Sequence, residues 1–67
     1  MRTGTDKKGR QHFYVDYEDS WFKKNWIGAM LWCSVNMKRG HALERTFAQF
    51  QTEGDANTFI KEFNMAP

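Results

Sequence analysis

Cysteine is all but missing from this chain. Cys33 is the only one in 67 residues, so no intrachain disulfide braces the fold. The other soft ligands are His12 and His41, and no paired C-x-x-C or H-x-x-x-H spacing joins them, which argues against a structural zinc site. Long apolar runs are also missing. The longest, from Trp26 to Cys33, is too short to cross a bilayer, and the first ten residues hold no apolar stretch of the secretory kind. A dominant charge is lacking too. Ten Lys and Arg against eight Asp and Glu leave a net charge of +2, well short of the basic surplus of a dedicated nucleic-acid binder. With a lone thiol and no leader or span, the chain is expected in a cytoplasm, that of the host if it is virus-encoded.

Catalytic signatures are absent in the same way. There is no G-x-S-x-G, no H-E-x-x-H and no glycine-rich phosphate loop; Gly4 and Gly9 stand alone. The acidic run Asp16, Glu18 and Asp19 lacks the glycine and terminal glutamate of a calcium loop. Cys33 lies in the apolar run Leu31-Trp32-Cys33, where a thiol is inert, since reactive cysteines occupy electropositive, accessible sites. No enzyme activity, metal or cofactor is expected.

Aromatic residues are what the chain has in quantity: three Trp, six Phe and two Tyr. A domain this small buries a limited fraction of its surface, and large rings are an efficient way to fill its core. Along the chain, residues 1–10 are polar and basic through Lys7, Lys8 and Arg10, and they read as a flexible arm before a single domain spanning 11–67. From Gln11 to Tyr17, Phe13, Val15 and Tyr17 alternate with His12, Tyr14 and Asp16, a period-two pattern that predicts a strand. Glu18 to Asn25 reads as a loop or as a short helical turn capped by Asp19 or Ser20. Trp26 to Met37 fits two patterns. As a strand it sets Ala29, Leu31, Cys33, Val35 and Met37 against Gly28, Met30, Trp32, Ser34 and Asn36. As a helix it aligns Phe22, Trp26, Met30, Cys33 and Met37, at a cost of roughly 1 kcal/mol for Gly28. After a turn around Gly40, Leu43 to Gln51 reads as a third strand, although Leu43, Phe47 and Phe50 also fit helical spacing. The last segment is plain: Thr52 or Asp55 caps a helix that carries Ala56, Phe59, Ile60 and Phe63 on one face.

The expected fold is therefore α+β, a three-stranded antiparallel sheet with one C-terminal helix (β-β-β-α). The alternative is an all-α domain with three helices near 20–39, 42–52 and 55–65. In the sheet reading one helix covers one face, and the other face retains Met30, Trp32 and Tyr14. Exposed aromatic and Met side chains of this kind mark interaction surfaces. The expected function is that of a small non-enzymatic regulator, of the kind a virus or phage encodes to inhibit a host factor. It would bind a protein through the aromatic sheet face or an edge strand, using Trp32, Met30, Tyr14, Trp26 and Trp21. Pairing with a second copy through the same face is the other outcome. The rival function is single-stranded DNA or RNA binding, with bases stacked on the aromatics and phosphates held by Lys23, Lys24, Lys38, Arg39 and Arg45.

Overall fold

The computed structural model describes residues 1–37 and 40–65. The elements run β1 (Arg2–Thr5), β2 (Gln11–Asp16), α1 (Asp19–Asn36), β3 (His41–Leu43), β4 (Phe47–Phe50) and α2 (Glu53–Phe63). The sheet order is β1-β2-β4-β3, with every neighbouring pair antiparallel. The class is α+β, as the strand patterns imply; the all-α alternative does not occur.

Three expectations about the elements need correction. The first concerns Trp26 to Met37, which is helical as part of α1. Small Ala29 and thiol-bearing Cys33 sit one turn apart and are buried, so α1 can lie close on the sheet beside β3. That packing offsets the cost of about 1 kcal/mol that a mid-helix glycine carries. The second concerns the sheet, which has four strands among the described residues and not three. Its added members come from places the pattern did not mark: β1 from the supposed arm, and β3 (His41–Leu43) from the turn after Gly40 and the first residue of the segment read as one strand. The third concerns the cap of α1. Glu18 occupies that position and makes no side-chain cap bond, while Asp19 lies in the first turn.

The β1–β2 hairpin shows why residues 1–10 are ordered despite carrying little apolar surface. The Asp6 carbonyl accepts from the Gly9 N–H at 3.0 Å, and the Asp6 carboxylate accepts from the Lys8 and Arg10 N–H groups at 2.9 Å each. Gly9 has φ +79°, which closes the turn in the left-handed region. The β3–β4 turn is held differently. Arg45 and Thr46 have no positive φ, so the connection is not a mirror-image turn of the usual hairpin kind. Tyr17 fixes it instead: its hydroxyl reaches the carbonyls of Glu44 and Phe47, and its N–H donates to Thr46 O at 2.9 Å. The Arg45 guanidinium then binds Asp19 of α1 through Nε at 3.0 Å and Nη2 at 3.1 Å.

Both helices contribute to the core on one face of the sheet. There Val15, Ala48 and Phe50 from the strands meet Ala29, Cys33 and Met37 from the α1 region and Ala56 and Phe59 from α2. The predicted α2 stripe is thus in place, and so is its cap: Thr52 Oγ1 accepts from the Asp55 N–H at 3.1 Å. Asn64, with φ 57°, ends the helix in the left-handed conformation.

Gly9→Ala is expected to destabilise the protein by about 1–2 kcal/mol, because an L side chain at that φ is strained. Gly54→Ala, in the exposed first turn of α2 with no atom within 4 Å of the added methyl, is expected to stabilise it by up to about 1 kcal/mol. Urea titrations with an unchanged slope would show the two opposite shifts. A second expectation concerns acid. Asp6 is held at about 2, below its ordinary 3.8, chiefly by its bond with His12 and then by the Arg10 N–H. A depressed carboxyl stabilises the fold fully above pH 4, and that contribution is lost as the pH falls towards 2. Amide protection at Lys8 and Arg10, relative to the intrinsic exchange rate at each pH, should fall over that window in the native chain and not in Asp6→Asn.

Candidate functional site: the outer face of helix α1

Helix α1 is apolar on nearly every side, and the sheet covers only part of it. Its inner side carries Ala29 and Cys33, both essentially inaccessible. Its outer side presents Trp26, Ile27, Met30, Leu31 and Val35, the last two 62% and 78% exposed. Residues 27, 31 and 35 recur at intervals of four, and 26 and 30 form the adjacent row, so the five side chains make one continuous strip. No ionisable side chain other than the buried thiol of Cys33 lies between Lys24 and Met37. The polar side chains along this stretch turn back on the helix. Ser34 Oγ donates to the Met30 carbonyl at 2.9 Å, and Asn36 Nδ2 donates to that of Trp32 at 2.9 Å. Besides Gly28, Ser34 and Asn36, what faces water there is hydrocarbon and indole.

Trp26 joins this strip to the core through a row of rings. Tyr17 stacks on Phe22 at 6.0 Å between centroids, and Phe22 stacks on Trp26 at 6.4 Å. The Tyr17 hydroxyl is pushed up to about 12, mainly by burial, so it stays protonated as a donor.

Of the five residues expected to bind a partner, Met30 and Trp26 stand on this face. The other three do not. Trp32 and Trp21 point towards α2, each making edge contacts with Phe59 and Phe63 at 5.5–6.3 Å. They are partly buried packing residues, so the expected sheet patch of Met30 and Trp32 is not formed. Tyr14 is on the opposite side of the molecule, on the sheet face that no helix covers. There the Arg2 guanidinium lies 4.6 Å from the Tyr14 ring centroid and binds Asp16 through two bonds of 2.8 and 3.1 Å. Phe47 meets Tyr14 edge-on at 5.8 Å, and His12 bridges Asp6 and Gln49 at 3.0 and 3.2 Å. Gly4 leaves room for the Tyr14 ring, which would lie 3.1 Å from an added Cβ. This face is internally latched.

Of the expected phosphate contacts, the structure brings Lys23 and Arg45 together. Lys23 and Arg45 both bind Asp19, at 3.3 and 3.0 Å, while Lys24 is exposed on α1. Lys38 and Arg39 lie outside the described residues. Ile27, Leu31 and Val35 were not singled out as partner-binding residues. Their signal was present in the helical spacing of 27, 31 and 35, but it emerges only once the segment is read as a helix.

Other chemistry finds little support in the geometry. Among the described residues no three His, Cys, Asp or Glu side chains cluster as metal ligands. Among the same residues no helix is long and apolar enough to cross a membrane. Burial, followed by the nearby negative charge of Asp55, pushes the Cys33 thiol up to about 11. Cys33 is thus held as a protonated, inaccessible thiol. A thiol reagent such as Ellman's reagent should therefore label Cys33 only on unfolding; rapid labelling of the native chain would contradict its placement.

Compared with known proteins, the chain matches no family model, no curated protein and no solved structure.

Proposed function

We propose that this protein is a small non-enzymatic binding module that acts on another protein through the outer face of α1. The observation that carries the reading is the charge-free strip of Trp26, Ile27, Met30, Leu31 and Val35. A helix that is apolar on all sides belongs in an interior, and one that shows such a face to water is short of a partner. Helix-in-groove docking reads anchors at spacings like those of 27, 31 and 35. Trp and Met are also among the residue types favoured at interface centres. A regulator or inhibitor works in this way, by occupying a surface and leaving bonds unbroken.

The nucleic-acid reading has less to support it. Base stacking on Tyr14 competes with Arg2, whose guanidinium already lies on that ring and is neutralised by Asp16. Two of the described cations, Lys23 and Arg45, share the single charge of Asp19.

Leu31→Glu and Val35→Glu alter exposed positions, so each should leave the circular dichroism spectrum intact and change the stability of the monomer by no more than about 0.5 kcal/mol. In pull-downs with tagged protein, both variants should lose the protein bound by the native chain, and Tyr14→Ala should retain it. Retention by Leu31→Glu would remove the α1 face as the docking element. A gel shift with single-stranded DNA or RNA that weakens steeply with salt and is lost in Tyr14→Ala would favour the nucleic-acid reading.

A further inference from the structure

From the same face we infer that α1 is the interface of a homodimer, in which two copies pack the outer strips of their α1 helices against each other. This rests on the docking reading above and names the protein bound there as a second copy of the chain, in place of an unlike one.

Area is the first reason. The five side chains, each partly exposed, present on the order of 500 Å², near the upper limit of patches on stable monomers (~300–600 Å²). Two such patches bury about 1,000 Å² together, the threshold for a specific interface, before flanking residues are added. The free chain exposes 4774 Å² in total, so the strip is near the tenth of the surface that a small protein commits to a partner.

Composition is the second reason. Interfaces between different, separately stable proteins are about as polar as the rest of the surface, whereas homodimer interfaces are more apolar. This strip has no charge, and its hydroxyl at Ser34 is already bonded to its own helix.

Size supplies a motive for pairing. A 67-residue domain without a disulfide has a limited core, and a second subunit is one of the few ways to enlarge it.

Sedimentation velocity from 1 to 200 µM tests this on the full chain. The native protein should sediment as a dimer that dissociates on dilution. Leu31→Glu should raise the dissociation constant at least about 30-fold, the effect of losing a central interface residue. Val35→Glu, at the C-terminal end of the strip, should weaken pairing in the same direction, with both circular dichroism spectra unchanged. A native chain that stays monomeric at 200 µM overturns the dimer. Pull-downs with Leu31→Glu then decide separately whether the face binds a different protein. A monomer that co-sediments with phosphatidylserine vesicles through Leu31 overturns both readings. A dimer insensitive to Leu31→Glu overturns the interface assigned here.

Discussion

Phe59 is the side chain on which the two layers converge. It is fully buried, and its ring lies 4.8–6.3 Å from four others: Phe63 of its own helix, Phe50 of the sheet, and Trp21 and Trp32 of α1. Through that one ring, α2 is joined both to the central pair of strands and to the long helix. A chain without a disulfide needs such a junction, because burial must then hold the helices on the sheet. The remaining architecture follows from it. Trp21 and Trp32 are drawn towards α2, which turns the opposite side of α1 towards water.

The result is a molecule with two unlike exposed faces. The uncovered side of the sheet carries aromatic rings, yet its charges and hydrogen bonds close on one another, from Arg2 over Tyr14 to His12 between Asp6 and Gln49. The uncovered side of α1 has no such internal partners. Desolvating the first would break ion pairs and bonds already made, whereas desolvating the second removes hydrocarbon from water and costs little else. That asymmetry makes the helix the face with most to gain from a second surface.

Much of the framework was legible in the sequence. The strand around Phe13 and Val15, the helix after Thr52 and the α+β class all follow from period and cap chemistry that the final packing respects. β1 was hidden because Arg-Thr-Gly-Thr has no apolar residue to announce a strand; it is secured by the Asp6 and Gly9 turn and by pairing with β2. The candidate site was half legible. Met30 and Trp26 were marked as binding residues for their chemistry, but on the wrong element. Ile27, Leu31 and Val35 were hidden for the same reason, since alternation and helical spacing both describe a run that is apolar throughout.

By itself, then, the sequence determined the inventory: aromatic core material, a capped C-terminal helix, a period-two strand, and more apolar surface around residues 26–35 than one element can bury. Only the tertiary structure decided which side of that run faces inward. Periodicity discriminates when polar residues alternate with apolar ones, and between Lys24 and Met37 there are too few to do so. Two small buried residues one turn apart, Ala29 and Cys33, let a helix approach the sheet, and that contact selected the face left open to solvent.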